Sequence, residues 1–353
     1  MRYKDKTGGF KCLGEFLVKV RKAYDGEGTP DSRLILEKTA GHMEEATDSQ
    51  GGALVPEQWA DEIYHAALEN SIVRARVAKG AVIKATSDSV KVRRFVETDR
   101  SCNIFGGITF EWIEERGQKT AVISKPALGE LELNIHKLVG GSWVSNELEN
   151  DYGKFGDFMK FAFGQALRFI EDDYFLWGSG AGVPLGAINA GNGSLITVTR
   201  NAVGLLDWTD IAHMAERLLP QGWESAAWLI NPGVIDELFE ATASAANQAT
   251  FLDLNNRLLW GLPFIVTEKC QAMGTQGDIA LCDFGHGHYL IADREMRISA
   301  SRHVDVSDVG WKTDETFWKI VLRVDGQPLM TSAITPDRGG NTLSAFIVLT
   351  TTS

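Results

Sequence analysis

The sequence predicts a mixed α+β fold, with several structural parts in one chain of 353 residues. Three observations predict it: one long helical pattern, a stretch in which apolar and polar residues alternate, and short apolar strands mixed with helices in the C-terminal half. With 44% hydrophobic and 23% charged residues, the composition is that of a folded chain with a sizeable core.

Charge divides the N-terminal region, residues 1–58, which we predict to be an arm because it is polar and interrupted. Residues 1–24 carry seven basic and two acidic side chains, a net charge of +5, whereas residues 25–62 carry ten acidic and two basic ones, a net charge of −8. An apolar stripe fits one face of a short helix: Leu13, Phe16, Leu17 and Val20. The basic patch is either a solvated helix face, which we favour, or a contact with DNA or with a neighbour's acidic surface.

An alternating pattern over residues 81–139 follows a helical pattern at Trp59–Arg76. Alternation of this kind is typical of half-buried antiparallel strands. The Asn and Gly residues of SCNIFGG, residues 101–107, predict a hairpin tip between the strands. A two-stranded ribbon is marginally stable alone in water. We therefore expect the ribbon to lie on a partner chain.

Residues 154–177 predict a single helix of about 36 Å. Six residues follow helical spacing in it: Phe155, Phe158, Ala162, Gln165, Phe169 and Leu176. The glycines of GSGAGVPLG end this helix, because glycine adopts backbone conformations that other residues resist. Further elements are predicted downstream: helices at Trp208–Leu219 and from NPGVIDELFE onward, and strands at 226–230 and near 263–267, 279–283, 288–292, 296–300 and 317–324.

The motifs that resemble catalytic or nucleotide-binding motifs either have the wrong position relative to a helix or lack a required residue. GSGAGVPLG follows a helix, whereas a phosphate loop precedes one, and it lacks a Lys-Ser or Lys-Thr pair. Ser179 lacks the first glycine of a nucleophile elbow. The carboxylates of residues 171–173 point about 100° apart on a helix, which favours a solvated face or ion pairs between subunits. We predict that the protein is not an enzyme and has no cofactor.

The residues that could bind metal also form no recognisable set. His286 and His288 of GHGHY have no third ligand at a defined spacing, so we predict no metal site. The four cysteines have no CxxC pairing and are expected to be free thiols. The formal net charge of −12 argues against a surface built to grip nucleic acid, and no apolar run approaches the length of a membrane span. We expect a soluble chain made in the cytoplasm.

The order of parts resembles the tailed-bacteriophage major capsid protein family, whose fold is shared by encapsulin compartments. The resemblance covers about residues 50–333 and rests on segments that occur in the family's order: GGALVPEQW, VSNELEND, FIEDDYFLWGSGAGVPLGAI, WLINPGVIDEL, LLWGLPFIVTE and FWKIVLRVDGQPLMTSAI. It implies a structural protein that assembles into hexamers and pentamers of an icosahedral shell around double-stranded DNA. An encapsulin-like compartment that encloses an enzyme is the alternative.

The resemblance also implies a division of the chain. The arm (1–58) would clasp a neighbour. Peripheral-domain segments (59–80 and 131–200, with the spine helix at 154–177) would flank an extended β-ribbon loop (81–130). An axial domain (201–310), a return strand (311–334) and a C-terminal tail (335–353) would follow. For Ala345–Thr350 in the tail, packing on its own subunit is favoured over addition to another sheet edge.

Residues implied to act in assembly are the candidate aromatic anchors and the glycine-rich turn: Phe105, Trp112, Trp143, Gly178, Gly180, Gly182, Pro184 and Gly186. A core role is equally open for each aromatic. The expected partners are further copies of the chain, portal, scaffolding and decoration proteins, and packaged DNA through weak contacts, in the virion. Some family members cross-link their shells through Lys–Asn bonds, but residues 257–340 contain no asparagine. We expect no cross-links and an arm that is not removed.

Overall fold

The computed structural model describes residues 9–25, 31–34, 53–54, 71–100, 107–108, 110, 112, 127–145, 147, 152–202, 205–244, 252–253, 256–301 and 315–351. The chain divides into two compact units. Unit 1 comprises Met1–Ala75, Ile135–Glu171 and Asp293–Val324; unit 2 comprises Arg76–Asn134, Asp172–Ala292 and Asp325–Ser353. Helices and strands are both present, as the sequence predicts for an α+β protein.

Four helices and fourteen strands occur in the part of the chain described. The helices are α1 (Leu13–Asp25), α2 (Tyr152–Trp177), α3 (Trp208–Glu216) and α4 (Ile235–Ser244). The strands are β1 (Ala53–Leu54), β2 (Val82–Lys84), β3 (Ser89–Phe95), β4 (Leu128–Asn134), β5 (His136–Ser145), β6 (Ile196–Thr199), β7 (Ala227–Ile230), β8 (Leu252–Asp253), β9 (Leu258–Leu259), β10 (Leu262–Val266), β11 (Ile279–Cys282), β12 (Tyr289–Ser301), β13 (Glu315–Pro328) and β14 (Phe346–Thr350).

In unit 1, α1 and the first five turns of α2 pack on a sheet with the strand order β1-β12-β13-β5. β13 and β5 pair antiparallel, from Glu315↔Ser145 to Val324↔His136. The core joins apolar residues of both helices to the inner face of the sheet: Leu13, Phe16, Leu17, Val20, Phe155, Met159, Phe163, Leu167, Met296, Ile298, Trp318 and Ile320. The rings of Phe155 and Trp318 lie 5.4 Å apart.

Part of the predicted arm, residues 1–58, forms α1, and this helix belongs to the core of its own unit. That the arm also clasps a neighbouring copy stays a prediction. The apolar residues of the predicted stripe are all buried. A Cβ atom added to Gly156 of α2 would lie 2.9 Å from the backbone nitrogen of Gly14, so the two helices approach closely where both have glycine. Apolar spacing rather than the polar average of the segment decides where α1 lies.

Unit 2 contains a seven-stranded sheet with the order β6-β14-β11-β7-β10-β9-β8. β14 runs parallel to β6 and antiparallel to β11, with Ile347 opposite both Ile196 and Leu281. Phe346, Ile347, Val348 and Leu349 are fully buried. The prediction that Ala345–Thr350 packs on its own subunit is confirmed: the segment is an inner strand of this sheet.

The ribbon is a two-stranded antiparallel pair of β3 and β4, in register from Ser89↔Asn134 to Phe95↔Leu128. The predicted period of two is confirmed, although the second limb runs to Asn134, beyond the expected end at residue 130. Leu131 and Leu133 are buried on one face. The tip at 101–106 and most of the helix predicted at Trp59–Arg76 lie outside the described residues, and residues 71–76 form turns rather than helix.

Two other predicted elements have different bounds in the structure. The strands expected at 288–292 and 296–300 are one continuous strand, β12. The helix expected at Trp208–Leu219 ends at Glu216. The helix predicted at 154–177 is confirmed as α2, which is 26 residues long and therefore about 39 Å.

Candidate functional site

The ribbon carries the most exposed large aromatic side chains of the described chain. Phe110 is 90% exposed and Trp112 is 105% exposed, and Phe95, at the end of β3, is half exposed. An aromatic side chain buries about 150–250 Å² when a partner covers it. Among the residues that the structure describes, none covers Trp112, which favours the anchor over the core role for this residue. Phe105 lies outside the described residues.

Trp143 occupies a different surface, on β5 of unit 1. It is 39% exposed and stands opposite Phe317 of β13, with the ring centroids 5.1 Å apart. A Cβ atom at Gly141 would lie 2.4 Å from Cζ of Phe317, so the ring of Phe317 lies over the glycine. Trp143 is therefore partly a cross-strand partner within its sheet and partly available to a neighbour.

Helix α2 presents aromatic side chains on its solvent side as well as on its core side. Its buried face is formed by Phe155, Met159, Phe163 and Leu167. The sequence grouped Phe158 and Phe169 with Phe155, but both are exposed, as is Phe161 at 65%. Positions 158, 161 and 169 lie within about 80° of one another on a helical projection. They form an exposed aromatic stripe, which the sequence analysis missed because aromatic residues surround this helix.

The glycine-rich turn after α2 folds the chain back onto the end of the helix. Gly180 N–H donates to the carbonyl of Pro184 (3.2 Å) and Gly186 N–H donates to the carbonyl of Gly178 (2.8 Å). A Cβ atom at Gly178 would lie 2.2 Å from the Pro184 oxygen, and one at Gly186 would lie 2.3 Å from the Leu176 oxygen. These glycines are required by close backbone approach.

The same turn contains two residues in the left-handed region of backbone space, Gly180 (φ 78°) and Gly182 (φ 73°). Such angles disfavour any residue with a Cβ atom. Gly180, Gly182 and Ser179 are exposed, whereas Gly178, Pro184 and Gly186 are buried. The turn follows a helix, as predicted, and its backbone N–H groups at 178, 180 and 186 donate within the turn or to the helix rather than toward a ligand.

The acidic end of α2 forms ion pairs inside the chain, which corrects the expectation of a solvated face or of ion pairs between subunits. Glu171 is 4% exposed and pairs with Arg74, which also contacts the Asp293 carboxylate at 3.2 Å. These three residues all belong to unit 1. In unit 2, Asp173 lies 3.7 Å from Nζ of Lys269.

A hydrogen-bonded group of Ser225, Asp283 and His286 in unit 2 contains the residue types of a catalytic triad. The Ser225 hydroxyl lies 2.6 Å from Asp283 Oδ1 and 2.9 Å from His286 Nδ1, and Asp283 Oδ2 lies 3.1 Å from the same Nδ1. A triad histidine meets serine and aspartate through opposite nitrogens. Because one nitrogen meets both residues here, the imidazole cannot transfer a proton between them.

His288 lies beside this group, with its Nε2 atom 3.5 Å from Asp283 Oδ2. Burial is the main cause that lowers the pKa of His288, against the opposing effect of the Asp283 carboxylate. The sequence analysis found no third group beside His286 and His288. The structure provides one, Asp283, three positions before His286.

Cys12, Cys270 and Cys282 are free thiols, as expected; Cys102 lies outside the described residues. Burial raises the pKa of Cys270 to about 12, and it raises the pKa of Cys282 well above the ordinary value. Both buried thiols are therefore protonated and unreactive near neutral pH. Within the described residues, no helix is both long enough and apolar enough to cross a membrane.

Comparisons with known proteins place these features in a family context. The model of the phage capsid family matches residues 51–336. The structure is similar to the capsid of an empty GTA particle, with 16% identity over 80% of this chain and 97% of the other and a TM-score of 0.56. It is also similar to the capsid of a native GTA particle (16% identity, 95% and 100% coverage, TM-score 0.52) and to a chain from Mycobacterium phage Adephagia (13%, 88% and 95%, 0.51). No curated protein matches the chain.

Proposed function

Because the chain belongs to the phage capsid family, we propose that it is a major capsid protein whose copies form the hexamers and pentamers of an icosahedral shell around double-stranded DNA. The chain is a capsid-shell protein of the phage type. The match of the phage capsid family over residues 51–336 supports this assembly, together with the aromatic side chains that a single chain leaves exposed.

The ribbon supports the proposal because it has one covered and one uncovered side. Leu131 and Leu133 are buried, whereas Phe95 and its cross-strand partner Leu128 are exposed. Phe110 and Trp112, in the segment between the two strands, are also exposed. Large exposed aromatic side chains are typical anchors of protein interfaces. The ribbon formed by β3 and β4 is thus proposed to lie on a neighbouring copy, with Trp112 as an anchor and Phe105 near the tip as a second one.

The aromatic stripe of α2 and the half-exposed Trp143 are two further surfaces proposed for subunit contacts. They belong to unit 1, which we propose to be the peripheral part of the subunit, with α2 as its spine helix. The glycine-rich turn from Gly178 to Gly186 would then fix where the chain leaves the spine. Residues 201–310 are proposed to form the axial part, and residues 311–334 to form the strand that returns to the peripheral part.

Closed shells require contacts that repeat by symmetry, so each of these surfaces must meet a complementary surface of an identical chain, either the same patch or a different one. Apolar burial drives such association at about 25 cal/mol per Å², less the entropy lost when subunits join. Partners outside the shell would be portal, scaffolding and decoration proteins. The net charge of −12 suits a lining that encloses DNA while binding it weakly. The function requires no catalytic group and no cofactor.

Electron microscopy of the purified protein tests the proposal. We expect closed icosahedral particles with rings of six and five subunits, and DNA that survives nuclease treatment when particles are isolated from the host in which they form. Particles that enclose an enzyme and no DNA would contradict the genome-packaging part of the proposal. A preparation without particles under any assembly condition would contradict the proposal as a whole.

A further inference from the structure

The connection between β11 and β12 brings together three side chains whose metal-binding atoms meet. Asp283 follows β11, His286 lies in the turn and His288 directly precedes β12. One ligand atom from each lies within 4.8 Å of the others. Asp283 is fully buried, and Nε2 of His288 is shielded from solvent with no hydrogen-bond partner in the described structure. A buried imidazole nitrogen without a partner is costly unless something binds it.

Two distances within the group, both from the Asp283 carboxylate, are close to those between ligands around one small ion. Asp283 Oδ2 lies 3.1 Å from Nδ1 of His286 and 3.5 Å from Nε2 of His288. Zinc ligands at about 2.0–2.2 Å in a tetrahedron lie about 3.3–3.6 Å from one another. An ion placed beside Oδ2 therefore reaches both imidazoles with small side-chain adjustments.

Two hydrogen bonds to the other carboxylate oxygen set the orientation of Asp283. The hydroxyl of Ser225 donates to Oδ1 at 2.6 Å, and the backbone N–H of Gly285 donates to Oδ1 at 2.9 Å. Oδ2 is consequently the oxygen that faces the two histidines. Outer hydrogen bonds of this kind hold ligand carboxylates in position at metal sites.

We propose that Asp283, His286 and His288 form a binding site for a divalent transition-metal ion of the zinc class. Two imidazole nitrogens and one carboxylate oxygen suit Zn²⁺, whereas Mg²⁺ and Ca²⁺ prefer oxygen ligands alone. Three protein ligands leave the fourth tetrahedral position to water. Arg100 is the cationic side chain outside the group that acts on His288. Its guanidinium is paired with the Glu97 carboxylate at 2.7 Å.

The role of the ion would be structural, because the ion would connect residues at the two ends of the turn between β11 and β12. This inference does not depend on the proposed function, since the site lies within unit 2 of a single chain. A capsid protein could lack the ion, and a shell protein of another kind could bind it. The test of the metal site and the test of the proposed function therefore have independent outcomes.

Calorimetric titration of the full-length, tag-free chain with ZnCl₂ tests the site, after dialysis against a chelator and then against chelator-free buffer. We expect one ion to bind per chain. His286→Gln and His288→Gln should each weaken binding at least about tenfold, because each removes a ligand. His213→Gln is the matched control, since His213 is exposed on α3 and lies outside the group; it should leave the affinity unchanged.

Thermal unfolding with and without zinc separates loss of the site from loss of the fold. Zinc should raise the Tm of the wild type and of His213→Gln, and should raise the Tm of His286→Gln by less at the same zinc concentration. If His288→Gln does not fold, His286→Gln decides the question, because His286 is the more exposed of the two. Absence of one-to-one binding in the wild type, or equal affinity in the wild type and His286→Gln, overturns the proposal.

Discussion

The guanidinium of Arg74 donates two hydrogen bonds to the carboxylate of Glu171, at 2.8 and 3.0 Å, with both side chains buried in unit 1. Asp293 accepts a third hydrogen bond from the same guanidinium at 3.2 Å. The pair joins the turn at residues 71–76 to helix α2, and the third bond adds strand β12. A buried ion pair of this kind is costly to break by removal of one partner.

We expect Arg74→Ala to lower the free energy of unfolding of the unassembled subunit by about 3–5 kcal/mol, because two buried carboxylates lose their countercharge. Urea denaturation followed by circular dichroism measures the change. The control is Lys91→Ala: Lys91 forms an exposed ion pair with Glu130, 3.8 Å apart, and its loss should cost about 1 kcal/mol or less. Equal effects of the two substitutions would show that the buried pair does not stabilise the fold.

Trp112→Ala should reduce the yield of assembled particles while the thermal stability of the subunit stays near that of the wild type. Trp112 is fully exposed in the described part of its own chain, so its removal should weaken only the contact with a neighbour that covers it. Particle yield by sedimentation and subunit Tm by calorimetry separate the two effects.

Trp318→Ala is the matched control for that experiment. Trp318 is fully buried against Phe155, and its truncation should cost the subunit about 3–5 kcal/mol before any question of assembly arises. Normal particle yield from Trp112→Ala would show that Trp112 is not an anchor of the subunit contact.

The glycines of the turn after α2 should differ in their tolerance of alanine. Gly182→Ala places a Cβ atom in open space but at φ 73°, which costs about 1–2 kcal/mol. Gly178→Ala should cost more, because its Cβ atom would lie 2.2 Å from a backbone oxygen that cannot move independently. Gly80→Ala, with neither restriction, should change stability by about 0.5 kcal/mol or less. The reverse order in chemical denaturation would contradict the account of this turn.

Purified particles should dissolve into single chains when boiled in detergent. Residues 257–340 contain no asparagine to accept a bond from lysine, so subunits are expected to be held by non-covalent contacts alone. Denaturing electrophoresis of the particles measures this directly. A ladder of multimers that resists boiling and reductant would show that a covalent link forms elsewhere in the chain.

The existence of most elements could be predicted from the sequence because each has a local signal. Helix α2 has 26 residues and a glycine-rich stop, and β7 and β11 are short apolar runs. The face that α2 buries could not be predicted, since aromatic residues occur on all of its sides. β12 was divided in two because Asp293 interrupts its apolar run; the interruption is tolerated because Arg74 pairs with that carboxylate.

The misassigned and missed residues share a dependence on tertiary structure. The polar average of residues 1–58 predicted an arm, whereas the stripe from Leu13 to Val20 lies in the core. The group around Asp283 was missed because the spacing of His286 and His288 alone does not indicate a third ligand, and because the residue that orients Asp283 is Ser225, far away in the sequence. Exposure of Phe158, Phe161 and Trp112 likewise depends on which surface the fold covers.

We propose that an isolated chain leaves apolar surface exposed to solvent, and that contact with identical copies covers this surface. Sedimentation velocity of the purified full-length protein, over a range of protein and salt concentrations, measures this most directly. We predict that most of the material sediments as capsomers or as closed particles of many copies. A single species of 38.7 kDa at every concentration and salt would contradict the claim.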